Sequence, residues 1–344
     1  MTDSRVARVL VVDDSAYVRK VVSQMLSRSP LLEVVGTARD GQEALDRVEE
    51  LRPDVVTSDL IMPELDGVAF VQEQMRRRPV PIVIVSVASE SGELVLSALD
   101  AGAVDFIQKP TALASERLLE MSDDLIATVR SAAGSRVRLM ATVPAPQQPP
   151  LSFHGAFDLI VLGVSTGGPQ ALKAVIPRLP ASLPVPLLVV LHMPVGYTAL
   201  YAQKLNDLSA LTVTEARDGV EVLPGSVLIA PAGRHLTLRR NGDGHVVTHL
   251  DVKPLDTPHR PSVDVLFQSA VDVYGGRVLG VVMTGMGADG REGSAWIKAR
   301  GGTVLTEAEE TCVVYGMPRS IVEAGLSDRA VALDRMADAI LEWL

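Results

Sequence analysis

From Arg8 to about Ser131 the chain alternates short aliphatic runs with stretches whose apolar residues recur every three or four positions. The runs ARVLVVDD, EVVGTA, PDVVTSD, PIVIVS and AVDFIQKP predict five strands. Segments such as SAYVRKVVSQMLSR and GQEALDRVEEL predict helices between them. Five such units imply a parallel sheet with helices on both faces. The rhythm lapses in SAAGSRVRLMATVPAPQQPPLS, whose prolines and paired glutamines favour an extended connector. It resumes at FDLIVLGV and continues through PVPLLVVLH, GSVLIAPAG, VLGVVMTG and GGTVLTEA, with helical stretches such as PQALKAVIPRL and REGSAWIKARG after several of them. HLTLRRNGDGHVVTHL instead predicts a β-hairpin turning at Asn241-Gly242-Asp243-Gly244. The expected organisation is an α/β domain over residues 1–131, a linker over 132–155, and a second, doubly wound α/β domain with a hairpin over 156–344.

Composition narrows the function classes. Hydrophobic residues make up 47% and aromatics only 3%, so the cores must be aliphatic. The formal net charge is −10, and neither half carries the basic footprint of a nucleic-acid binder. The first residues lack a signal-peptide pattern, and no run approaches the roughly 20 apolar residues that cross a bilayer. Cys312 is the only cysteine, so no disulfide framework exists. Together these predict a cytoplasmic protein with no membrane insertion and no nucleic-acid partner.

In an open parallel sheet, function gathers at the carboxyl ends of the strands. In the first domain those ends carry Asp13-Asp14, Asp59, Ser86 and Lys109. Three carboxylates meeting at one edge repel, and one lysine offsets only part of that charge, so a hard divalent cation such as Mg²⁺ is the natural partner. With it, one carboxylate can attack a phosphoryl donor in line while lysine and hydroxyl neutralise the transferred oxygens. Taken singly, Asp13 and Asp14 could as well be helix caps; four strand ends in this order, with MPELDG, argue against that. VVDDS, SDLIMPELDG, Ser86 and KP resemble a response-regulator receiver domain, a flavodoxin-like (βα)5 fold. The resemblance implies that Asp59 is phosphorylated by a sensor histidine kinase and that Asp14 and Asp59 hold Mg²⁺, with Asp13 acting through water. It also implies that Ser86 and Lys109 read the phosphoryl group and that Phe106 is a switch aromatic.

The second domain opens on a strand running into Ser165-Thr166-Gly167-Gly168-Pro169 and a helix. Gly163-Val164-Ser165-Thr166-Gly167 satisfies G-x-S-x-G, a turn that exposes a serine hydroxyl beside backbone amides able to hold an oxyanion. Alone the pattern is weak, since such turns are common. A nucleophilic serine needs a base and the base an orienting group. His192 ends the strand PLLVVL, where site residues sit. His245 and His249 share a hairpin face without a third metal ligand and read as solvated surface; His154 falls in the linker, and nothing selects His235 or His259. Asp251, Asp256, Asp264, Asp272 and Asp289 all follow His192. Asp289 stands out because VLGVVMTGMGADG brings it to the same sheet edge.

GVSTGGPQAL, HMPVGYT, IAPAGRHL, RPSVDVLF, TGMGADG and CVVYGMPRS resemble the catalytic domain of the chemotaxis protein-glutamate methylesterases. The resemblance implies a nucleophile Ser165, a base His192, an orienting acid Asp289, oxyanion donors near Met286, and Thr166 beside the nucleophile. Leu191 stands where many members carry Gln, and Val164 where many carry Ala. The implied reaction is hydrolysis of glutamyl γ-methyl esters on the cytoplasmic helices of chemoreceptors, with methanol released through an acyl-enzyme, and deamidation of receptor glutamines by the same route. No cofactor is expected for this half. The shared domain order implies that the unphosphorylated receiver restricts access to Ser165. Two alternatives remain at this stage. Gly285–Gly290 is a literal G-x-G-x-x-G with Glu307 near the ribose-binding distance, which would suit a dinucleotide. A non-catalytic, protein-binding output module is the other. Cys312, in the apolar TCVVYGM, reads as a buried hydrophobe.

Overall fold

The computed structural model describes residues 5–87, 92–109, 115–135 and 155–344. Most of the expected linker, with His154, and Pro110 of the KP dipeptide lie outside these residues. The chain divides into two compact units, Met1–Ala141 and Thr142–Leu344.

The first unit holds strands β1 (Ala7–Val12), β2 (Leu32–Ala38), β3 (Val55–Ser58), β4 (Ile82–Val87) and β5 (Asp105–Lys109). They alternate with helices α1 (Ala16–Leu26), α2 (Gly41–Leu51), α3 (Gly67–Arg77), α4 (Gly92–Asp100) and α5 (Ser115–Ala133). The strands form one parallel sheet in the order β2-β1-β3-β4-β5. Val9, Leu10, Val55, Val56, Ile82 and Val83 are sealed from solvent, which is why the central strands read as unbroken aliphatic runs. Ser15, Asp40 and Asp66 each cap a helix, accepting from the amides of Val18, Glu43 and Ala69.

The second unit is built on a seven-stranded parallel sheet. Its strands are β6 (Leu159–Val164), β7 (Leu187–Leu191), β8 (Thr212–Glu215), β9 (Ser226–Ile229), β12 (Val278–Val282), β13 (Thr303–Glu307) and β14 (Arg329–Val331), in the order β14-β13-β12-β6-β7-β9-β8. The predicted hairpin is β10 (His235–Arg240) with β11 (Val246–Asp251), closed by Asn241, whose side chain accepts from the amides of Asp243 and His245. Its Leu236, Leu238 and Val246 join a core with Leu266, Phe267 and Val271 of α8 (Val263–Tyr274). The remaining helices are α6 (Gly168–Val175), α7 (Thr198–Asp207), α9 (Arg291–Ala299), α10 (Met317–Glu323) and α11 (Leu333–Trp343). Edge strands β8 and β14 were not among the sequence expectations. They are short, and Thr212, Arg329 and Ala330 are exposed, so neither produces an apolar run. Strand order reverses around β6, with β7 on one side and β12 on the other, so the crevice for a site opens at their carboxyl ends. Among the described residues, no helix is long and apolar enough to cross a membrane.

Candidate catalytic and phosphoacceptor sites

Ser165, His192 and Asp289 arise from three neighbouring strands. Val164 and Leu191 are register partners across β6 and β7, so Ser165 and His192 each follow a paired residue; the His192 amide donates to the Val164 carbonyl at 3.1 Å. On the other flank the Ser165 amide donates to the Thr284 carbonyl, just beyond β12, at 3.0 Å. The turn after Ser165 depends on its glycines. Gly167 has φ of 78°, and a Cβ there would stand 2.6 Å from Val313. A Cβ on Gly285 would lie 2.8 Å from that of Ser165, which places the Gly285–Met286 backbone against the serine.

Asp289 is held by donors only. Its Oδ2 pairs with His192 Nε2 at 2.9 Å and accepts from the Val263 amide at 2.8 Å. Its Oδ1 accepts from Ser262 Oγ at 2.9 Å and from the Asp264 amide at 3.0 Å. Burial pushes this carboxyl up, but the His192 pairing and the Asp264 and Val263 amides outweigh it and hold it below the usual carboxylate range. An ionised Asp289 must accept, so His192 Nε2 carries a proton, and in the neutral imidazole Nδ1 is then the nitrogen with the lone pair. That Nδ1 is buried and has no hydrogen-bond partner. The site therefore presents one basic nitrogen, oriented by a carboxylate, on the strand next to the Ser165 turn.

Supporting residues escaped the sequence reading. Ser262 caps α8 while holding Asp289, and its amide donates to Nδ1 of His235 at 3.2 Å. His235 has no exposed surface, and burial lowers its basicity; it belongs to the framework behind Asp289 and opens β10. Asp264 accepts from the amides of Gly290 and Gly293 at 2.9 and 2.6 Å, capping α9 from another helix. Burial first, then the neighbouring Asp289 charge, pushes the Asp264 carboxyl above its usual range. Only Ser262 had a sequence signal, as a serine just ahead of an apolar helical period. His259 stacks on His192, with ring centroids 4.2 Å apart. His245 and His249 pair with Glu221 and Asp218 on the surface, away from any metal cluster among the described residues.

The dinucleotide alternative fails on Glu307. This residue has no exposed surface and accepts from the Thr284 amide at 2.9 Å, so it cannot offer itself to a ribose. Gly316 packs on the same loop so closely that a Cβ there would stand 2.6 Å from the Gly285 carbonyl oxygen. Cys312 is buried and its thiol pushed far up, first by burial, so it is no nucleophile.

In the first unit, Lys109 Nζ donates to Asp13 Oδ2 at 2.5 Å and to Asp59 Oδ2 at 2.7 Å. Asp59 Oδ1 accepts from the Leu60 amide at 2.7 Å. Asp13 and Asp59 are buried, Asp14 is exposed, and ligand atoms of all three lie within 4.8 Å of one another. Burial pushes the Asp13 carboxyl up, although Lys109 pulls against it. Three hard oxygen donors facing one ammonium leave the cluster short of positive charge, and a divalent cation fits that deficit. Ser86, buried on β4, has Gln108 as its register partner on the neighbouring β5. Phe106 is buried on β5.

Residues 160–340 match the profile of the CheB methylesterase family, and residues 9–122 match response regulator receiver domains. A protein-glutamate methylesterase/protein-glutamine glutaminase of Myxococcus xanthus is 50% identical over 96% of this chain and 95% of its own. One from Symbiobacterium thermophilum is 45% identical over 98% of this chain and 96% of its own. The crystal structure of the Thermotoga maritima CheB methylesterase catalytic domain is 42% identical, with a TM-score of 0.53, covering 55% of this chain and 99% of that one.

Proposed function

The chain belongs to the CheB methylesterase family, with a response-regulator receiver domain ahead of its catalytic domain, and on that premise we propose that it hydrolyses glutamyl γ-methyl esters of chemoreceptors in the cytoplasm under the control of Asp59. The carrying observation is the His192–Asp289 pair, which leaves a buried, unpartnered Nδ1 on the strand beside the Ser165 turn.

Ser165 Oγ attacks the ester carbonyl while its proton passes to His192 Nδ1. Asp289 stabilises the resulting imidazolium through Nε2–H. Backbone amides at Thr166 and Met286 would stabilise the tetrahedral oxyanion. Collapse breaks the carbonyl–methoxy bond, His192 returns its proton to the leaving oxygen, and methanol departs from a glutamyl-Ser165 ester. Water, deprotonated by His192, then releases glutamate and restores the serine. A receptor glutamine enters the same intermediate when His192 protonates its leaving amine, with ammonia as product. Methanol release from methylated receptor membranes by the full-length protein tests this. Ser165→Ala should lower the rate by at least about 10³-fold. Release unaffected by that substitution would refute the serine mechanism, and no release at all would leave the binding-module reading.

In the receiver, Asp13, Asp14 and Asp59 would hold Mg²⁺, which when bound neutralises charge on the phosphoryl oxygens. Asp59 would be the acceptor of a phosphoryl group from a histidine kinase. Ser86 and Lys109 would bind the transferred group, with Lys109 exchanging its carboxylate partners for phosphoryl oxygens.

A further inference from the structure

We propose that His259 is a positioning residue for the base: its ring covers one face of the His192 imidazole, fixes that ring with Nε2 on Asp289, and stabilises the imidazolium formed when Ser165 gives up its proton. This rests on the esterase reading above.

The two rings are stacked, with centroids 4.2 Å apart and planes inclined by 27°. His259 belongs to the segment between β11 and α8, three residues ahead of Ser262. That one segment therefore delivers both a hydroxyl to Asp289 and an aromatic face to His192. The His192 ring is pinned at its edge by the carboxylate and on its face by the second histidine, which resists rotation of Nδ1 away from the serine.

The chemistry depends on His259 staying neutral. It is half-buried, and burial, aided by the adjacent His192, lowers its pKa to about 4. Asp289 pulls the other way without cancelling this. Asp264 lies behind Asp289 on α8. A neutral imidazole face attracts a cation, whereas two imidazoliums in this arrangement would repel. When the Ser165 proton passes to a neutral His192, positive charge develops under the His259 face, so the stacking favours the transition state over the resting site.

The test compares full-length wild type, His259→Ala and His259→Phe for kcat and KM of methanol release from methylated receptor membranes. His259→Ala should lower kcat about tenfold with KM little changed. His259→Phe keeps an aromatic face and cannot titrate; it should restore kcat to within about threefold of wild type and leave the pH profile in place. Equal loss in Ala and Phe would overturn the inference, as would an Ala variant as fast as wild type. Thermal unfolding of both variants guards against misfolding, because the Phe variant remains decisive if Ala does not fold. Wild-type release that is lost in Ser165→Ala but indifferent to His259 overturns this inference alone; absence of Ser165-dependent release overturns both.

Discussion

Glu307 shows how far one residue's chemistry is set by its surroundings. Its carboxyl has no exposed surface, and burial pushes it up to about 7 although the Thr284 amide pulls it down. The folded state therefore holds a proton that the unfolded chain releases near the ordinary glutamate value. Stability from this group is present below about pH 4.5 and is lost as pH rises through about 7. Glu307→Gln keeps an acceptor for Thr284 and removes the titration. Urea unfolding of the variant should show a flatter pH dependence from pH 5 to 8 and greater stability at pH 8 than wild type. Asp289 is the opposite case, since each of its four hydrogen-bond partners is a donor. Asp289→Asn leaves two of those donors facing an amide NH₂ and removes the charge that favours Nε2–H on His192. Its kcat should fall by about 10³–10⁴-fold with little change in KM, measured as methanol release.

At the scale of elements, the helices after Ser165 and Asp289 both begin on glycines with positive φ and no side-chain cap of their own. The second is capped by Asp264 of α8, while Asp289, at its doorstep, binds the first amides of α8. The starts of α8 and α9 thus lock each other, and Asp289, the orienting acid in the proposed mechanism, is part of the lock. Asp264→Ala should cost about 1–2 kcal/mol in stability and lower kcat, with Asp264→Asn recovering most of both, by unfolding and rate measurements on the same samples. In the receiver, Gly67 starts α3 directly under Asp59, the proposed phosphoacceptor. A Cβ there would come within 2.2 Å of the Asp59 carbonyl oxygen. Gly67→Ala should slow labelling of Asp59 by acetyl phosphate at least tenfold, because the Asp59 loop must shift. Central strands and capped helices were legible because burial on both faces and cap chemistry leave local marks. Strands β8 and β14 were not, being held by pairing to a neighbour and not by their own composition.

For the whole molecule, the two units carry complementary chemistry: an acidic cluster suited to accepting phosphate and a serine site suited to acyl transfer. If the first governs the second, acetyl phosphate with Mg²⁺ should raise methanol release by the full chain. Chelating Mg²⁺ or substituting Asp59→Asn should abolish the rise and leave the basal rate unchanged; equal rates under all conditions would dissociate the two units. The two α/β units, the strand ends bearing Asp13, Asp59, Lys109, Ser165 and His192, and the family could be read from the linear pattern, because a parallel sheet writes its buried strands and their polar ends into contiguous residues. Spacing could rank Asp289 above four other aspartates but not select it. Only the tertiary structure gave Asp289 its four donors, made Asp264 a cap and His235 a strut, laid His259 on His192, and withdrew Glu307 from any ligand. Each of those roles is fixed by residues distant in the chain, whose meeting depends on strand order and burial, and neither leaves a local pattern to read.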